Sequence, residues 1–260
     1  MTPAEIMYPE LSDAAQDLRE KDEPFAFATI VRTSGSTAAK PGAKALLASD
    51  GTILGGWLGG GCARGAVKRA TLKALETGVP QLISVAPEEL LEKIGVAPGD
   101  EQDGVTYSRN GCPSRGSVDI FIEPCLPLPQ LVVFGASPVA RALTDLAPRF
   151  EWAVSESFET ANGSRLRAVV VATQGQGDFD ALKAALDAEP SYCAFVGSKK
   201  KFRALAEKLT ASGAENARID AVKAPAGLNI HAVSAEEIAL SIMAELVSLR
   251  RAPRKDAADG

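Results

Sequence analysis

The stretch Gly51 to Cys62, GTILGGWLGGGC, places six glycines in the eleven positions before a cysteine. A helical pattern, Ala63 to Glu76, follows at once. Glycines at such a turn let a backbone approach a ligand closely, and a helix N-terminus behind them favours an anion. The same dipole favours the thiolate of Cys62, and Arg64, Lys68 and Arg69 push in the same direction. The amides of Gly59, Gly60 and Gly61 are therefore candidates for a phosphate-bearing ligand, with Cys62 beside them for a soft metal or sulfur. The plainer alternative is a tight strand-to-helix turn with a small buried cysteine.

A second turn cysteine, Cys112, lies in G-C-P-S-R-G. With Cys62 it could bind Cu(I), accept a sulfur or coordinate another soft centre. Cys125 and Cys193 read as structural, and the four cysteines form no C-x-x-C pair, which argues against a zinc ribbon or a disulfide scaffold. The single histidine, His231, removes most His-based metal and catalytic clusters and reads as a packing or surface residue.

Further along, Gly135-Ala136-Ser137-Pro138-Val139-Ala140 is an incomplete dinucleotide fingerprint. Gly135 supplies the turn and Ala140 the close helix packing, but Ser137 stands where the glycine that admits pyrophosphate belongs. Glu156 occupies the place of a ribose-binding acid. Three more loops follow apolar strands, on the edge where such sheets bind ligands: the one with Gln174, the one with Gly197, Ser198 and Lys199, and the one with Gly227. Gly197-Ser198-Lys199 combines amides, a hydroxyl and a cation, and reads either as a phosphate contact or as a solvated helix start. The whole set suits either a Rossmann-like scaffold that has lost NAD binding or one that holds a dinucleotide end.

The elements that must position these residues fall into two groups. A length of 260 residues suits two domains, and 46% hydrophobic with 23% charged residues describes a globular protein. A net charge of −5 argues against broad nucleic-acid or membrane-surface binding. No apolar run approaches a spanning helix and the N-terminus has no export pattern, so a cytoplasmic location is expected. Residues 1–124 read as a small α+β domain: a helix near Leu11–Leu18, strands at Phe25–Val31, Lys44–Ala48, Thr52–Leu54 and Gln81–Val85, a short acidic helix and loop, and Gly104–Tyr107 paired with Ser117–Glu123. Pro124 to Pro129, with three prolines in six residues, reads as a linker too stiff for a strand. Residues 130–260 alternate strand and helix as in a Rossmann-like, doubly wound parallel sheet. Its last helix starts at Ser234 with Glu237 completing a capping box.

These residues resemble the XdhC/CoxI family of molybdenum-hydroxylase accessory proteins. G-S-T-A-A-K-P-G-A-K (35–44), G-G-G-C (59–62) and F-I-E-P (121–124) are similar to its first domain. G-A-S-P-V-A, F-V-G-S-K-K-K (195–201), A-P-A-G-L-N-I (224–230) and the helix from Ser234 are similar to its second. The chain departs from the family at Ala63-Arg64-Gly65, at Cys112-Pro113-Ser114, at Glu156 in place of aspartate, and at Thr173-Gln174-Gly175. The variants G-G-G-C-A-R-G and C-P-S-x-G-x-x-D-I-F look most like the CoxF-type members linked to carbon monoxide dehydrogenase.

The resemblance implies a cofactor-handling chaperone rather than a catalyst. It would bind molybdenum cofactor, in the CoxF-type case as molybdopterin cytosine dinucleotide, with Cu(I) as a further candidate and NAD(P) as a lesser one. Its partners would be an apo molybdenum hydroxylase and other factors for cofactor sulfuration or copper insertion, and a homodimer stays open. Two rivals stay open as well: an NAD(P)-dependent oxidoreductase, and a sulfur- or copper-transfer factor with Cys62 as nucleophile.

Overall fold

The computed structural model describes residues 9–111, 115–157 and 166–251. The chain divides into two compact units, 1–127 and 128–260. Among the described residues no helix is long and apolar enough to cross a membrane.

The first unit is built on a seven-stranded mixed sheet. Its strands are β1 (Phe25–Ser34), β2 (Lys44–Leu47), β3 (Ile53–Gly56), β4 (Gln81–Ala86), β5 (Glu101–Gln102), β6 (Val105–Arg109) and β7 (Ser117–Cys125), in the order β3-β2-β1-β7-β4-β6-β5. Alternation along β1 divides its side chains between two cores. Ala26, Ala28 and Ile30 face a cluster with Val67, Ala70 and Ala74 of helix α2 (Arg64–Thr77), while Phe25 packs with Leu11 and Ala15 of helix α1 (Pro9–Glu20).

Two local expectations are corrected. Strand β6 does not pair with β7, because β4 lies between them: β4 is parallel to β6 and antiparallel to β7. The apolar run of β4 is buried from Ile83 to Ala86 and needs a partner on both edges. A short helix α3 (Glu88–Ile94) makes the crossover that parallel pairing requires. Pro124 and Cys125 belong to β7 and pair with Ala26 and Phe25 of β1. Proline is accepted there because β4 pairs with β7 only as far as Ile122, so residue 124 needs no donor on that side.

The second unit is a parallel sheet of β8 (Gln130–Phe134), β9 (Ala153–Ser155), β10 (Arg167–Val171) and β11 (Tyr192–Phe195), ordered β11-β10-β8-β9. Helices α4 (Pro138–Leu146) and α8 (Ala235–Arg251) cover one face through Leu143, Ile242, Met243 and Leu246, together with Trp152. Helices α5 (Asp178–Asp187), α6 (Lys199–Ala211) and α7 (Asn216–Asp220) cover the other through Leu182, Leu209 and Ile219. The fold is α/β, with a doubly wound Rossmann-like sheet in the second unit. The reversal of strand order falls between β8 and β10, the place where ligands enter such sheets.

Candidate functional site

Five glycines of the Gly51–Gly61 turn separate into two kinds, and the sixth, Gly55, has no left-handed φ but would bring a Cβ within 2.7 Å of Leu11 Cδ2. Gly51, Gly56 and Gly59 adopt left-handed φ values of 78°, 80° and 95°. A Cβ at Gly51 would lie 2.8 Å from Lys68 Cγ, one at Gly56 would overlap the Lys44 carbonyl oxygen, and one at Gly59 would lie 3.2 Å from Ala39 Cβ. The fold demands glycine at all three. Gly60 and Gly61 differ: neither has a left-handed φ, and a Cβ on either would meet nothing within 4 Å. Nothing in the packing accounts for their lack of a side chain.

Gly60, with Gly61 next to it in the chain, lines a cleft of about 420 Å³ between the β2–β3 hairpin and α2. Leu58, Ala63 and Val67 are buried and form its floor; Arg64, Lys68 and the half-exposed Trp57 line it too. A 3-10 turn, Gly61–Ala63, leads into α2. The N-cap of α2, Ala63, has no side-chain acceptor, and the first turn holds no acid, so among the described residues no first-turn side chain sets a negative group on that dipole. The hairpin is closed by Asp50, whose carboxylate accepts from the Thr52 N–H and hydroxyl, each at 2.8 Å. Those bonds, the backbone one first, hold the Asp50 carboxyl below its ordinary value.

The 35–42 loop fastens two stretches that the sequence keeps far apart. Ala39, buried in the core, meets Gly59. Ser36 bridges to Arg115, and Gly35 packs on Gly116, whose carbonyl accepts from Asn110 Nδ2 at 2.6 Å. A shallow opening of about 340 Å³ lies beside this joint, where Arg115 stands 3.6 Å from Glu89. The Cys62 backbone lies in the 3-10 turn, whereas its side chain and the whole of Cys112 fall outside the described residues. Among the described residues no three His, Cys, Asp or Glu side chains are grouped to hold a metal.

In the second unit the expected residues gather at the C-terminal ends of the parallel strands, but several already serve the fold. A Cβ at Gly135, φ 109°, would lie 2.6 Å from the Ala172 carbonyl oxygen, so this glycine lets the β8 and β10 ends touch. Ser137, a candidate cofactor contact, is the N-cap of α4: its Oγ accepts the Ala140 N–H at 3.1 Å. Glu156 is exposed just past β9. Gln174 takes a left-handed φ of 54° in the loop after β10. Gly197 presses on the Phe195 ring, Ser198 caps α6 by accepting the Lys201 N–H at 3.2 Å, and Lys199 is exposed. Gly227, also expected at a cofactor, is a packing residue, since a Cβ there would overlap Ser241 Oγ of α8. His231 is exposed, and Cys193 is buried, which pushes its thiol up to about 12.

Two polar clusters of the second unit escaped the sequence reading. Asp178, with 7% of its side chain exposed, accepts from the Thr173 hydroxyl, from the Gly175 N–H at 3.1 Å and from Lys201 Nζ at 2.5 Å. Burial pushes its carboxyl up, but the bonds from Lys201, Thr173 and Gly175 outweigh this and hold it below the ordinary range. Tyr192 donates to Glu245 at 2.8 Å, and Lys223 pairs with the other Glu245 oxygen at 3.2 Å, tying β11 to α8. Burial and the Glu245 charge both raise the Tyr192 pKa. The spacing T-x-G-x-G-D was the available signal for the first cluster; the second joins residues too distant in sequence to show one.

An uncharacterised protein, YqeB, from Escherichia coli strain K12 is 28% identical over 263 residues; the match covers 91% of this chain but 45% of that protein, so the chain spans about half the length of this curated relative. A crystal structure titled as a xanthine dehydrogenase from Bacillus halodurans is similar with a TM-score of 0.41 and 20% identity, over 96% of this chain and 98% of that one. Residues 18–86 match the XdhC and CoxI family, and residues 131–246 match the XdhC Rossmann domain. The cleft therefore lies in a segment that matches the XdhC and CoxI family, and the parallel sheet with its loops lies in one that matches the XdhC Rossmann domain.

Proposed function

We propose that this protein is a maturation factor for a molybdenum hydroxylase, which holds molybdenum cofactor in the N-terminal cleft and releases it to the apo-enzyme. The observation that carries this reading is Gly60, whose missing side chain the fold does not require, on the wall of a cleft with Arg64 and Lys68; Gly61, equally unconstrained, is its neighbour in the chain. An open cradle fits a phosphate-bearing ligand: backbone N–H groups near an uncapped helix start offer donors, and the two cations supply charge. Trp57 offers an aromatic face for a planar pterin. Cys62 would contact the metal or its sulfur, and Cys112 is a second candidate for that contact. When bound, the cofactor supplies the redox-active molybdenum centre that the client needs; the chain's own residues bind it and limit its contact with water.

The client is proposed to be carbon monoxide dehydrogenase or a xanthine dehydrogenase-like enzyme. The first choice is supported by the G-G-G-C-A-R-G and C-P-S-x-G-x-x-D-I-F resemblance, and it would bring in partners for sulfuration or Cu(I) insertion. Calorimetry on the full chain tests the core of the reading. Molybdopterin should bind more tightly than NAD or NADP, and Gly60→Val should weaken it about tenfold or more, or about 1.4 kcal/mol, without loss of fold. Firm NAD binding without pterin binding would overturn the proposal in favour of an oxidoreductase. Co-expression gives a second arm, because Cys62→Ser should yield a client with an incomplete metal centre. A fully active client would remove the thiol from the proposed site.

A further inference from the structure

Three helices start at the C-terminal edge of the parallel sheet, and a diphosphate bound there would need their first-turn amides. At two of them the chain supplies a serine acceptor of its own, and at the third it places acids in the first turn. At α4, residue 138 is proline and offers no N–H, while the Ala140 N–H is taken by Ser137 Oγ. Ser137 is only 8% exposed and occupies the place of the glycine that admits pyrophosphate in a dinucleotide fingerprint. At α5 the first turn carries Asp178 and Asp180, so an incoming phosphate would face carboxylates. At α6 Ser198 Oγ takes the Lys201 N–H, and the Lys201 ammonium is drawn to Asp178 at 2.5 Å. These residues do not fit the pyrophosphate that a Rossmann unit would otherwise be expected to hold.

We infer that the second unit does not take a nucleoside diphosphate at its fingerprint turn, and that Ser137 and Pro138 are the residues that exclude it. The consequence for substrate class rests on the molybdenum-cofactor reading above. The chain recognises the pterin and the phosphate next to it, shared by the cofactor form that ends in a single phosphate and by the cytosine dinucleotide form. It is indifferent to the nucleotide end.

Titration of the full chain with CDP and NADH, and separately with the two pterin forms, tests this. CDP and NADH should show no saturable binding at millimolar concentration, and the two pterin forms should bind within about threefold of each other. A Ser137→Gly, Pro138→Ala double variant restores both the glycine and an amide, and should gain CDP or NADH affinity by about tenfold or more. Micromolar CDP or NADH binding to the natural chain, or a dinucleotide form bound about tenfold more tightly than the other, would overturn the inference. A folded double variant with no gain would remove Ser137 and Pro138 as the excluding residues. If neither pterin form binds, the maturation reading fails, yet the CDP and NADH titrations still decide the inference; if the double variant does not fold, the natural chain decides it.

Discussion

Gly116 packs so tightly on Ser36 that a Cβ at position 116 would overlap the Ser36 carbonyl oxygen and lie 2.9 Å from its carbonyl carbon. The 35–42 loop is thereby held at one end by the start of β7 and, through Ala39, at the Gly-rich turn. Gly116→Ala must push backbone against backbone, so it should cost about 1–3 kcal/mol in urea unfolding. Gly111→Ala is the control: nothing lies within 4 Å of a Cβ there, and its effect should stay within about 0.5 kcal/mol. Equal effects of the two substitutions would refute the joint.

Gly60→Ala and Gly56→Ala should separate in the same way within a single turn. At Gly56 the left-handed φ and the Lys44 carbonyl make alanine costly, by about 1–3 kcal/mol. At Gly60 the backbone accepts alanine without strain, and the stiffer unfolded chain makes stability neutral or higher by up to about 1 kcal/mol. Thermal unfolding of the two variants measures the difference.

Asp178 makes stability depend on pH in the acid range. Its carboxyl is held below the ordinary value of 3.8, so its stabilising effect is complete above that value and is lost as pH falls through the lower, folded one. Asp178→Asn keeps the shape but gives up the charged partner of Lys201, which is itself partly exposed; the cost near neutral pH should be about 1–2 kcal/mol. The gap between natural and variant proteins should narrow as pH drops below about 4, when the natural carboxyl takes up its proton. Urea titrations at several pH values would show this, and a gap that is constant with pH would contradict it.

Cys193 should resist alkylation in the folded protein. Burial pushes its thiol up to about 12, leaving little thiolate near neutral pH, and a buried sulfur is also hard to reach. Mass spectrometry after brief iodoacetamide treatment should find Cys193 unmodified until denaturant is added. Rapid labelling in native buffer would mean that β11 opens more readily than its packing implies.

Gly227→Ala should loosen α8 from the sheet, because the new methyl would meet Ser241 Oγ and the Ile242 N–H, the latter at 3.0 Å. A loss of about 1–3 kcal/mol is expected, read as a lower unfolding midpoint.

The period and capping chemistry of single segments were legible in the sequence. Alternation in Phe25–Ile30, the apolar runs of β8 and β10, and the Ser234–Glu237 box each depend on neighbours a few residues away, and each is found in the folded chain. The parallel sheet followed from the same local signals, since alternating strand and helix leaves few other arrangements. Only the tertiary structure decided the rest. Gly56 and Gly60 are both glycine to a reader of the sequence, and what separates them is the Lys44 carbonyl on a neighbouring strand. The order β7-β4-β6 depended on which strand had two edges to pair, and the duty of Ser137 on whether its hydroxyl turns to its own helix or to a ligand. Each of these is a contest between contacts made at a distance along the chain, whose outcome is set by which groups packing brings within reach.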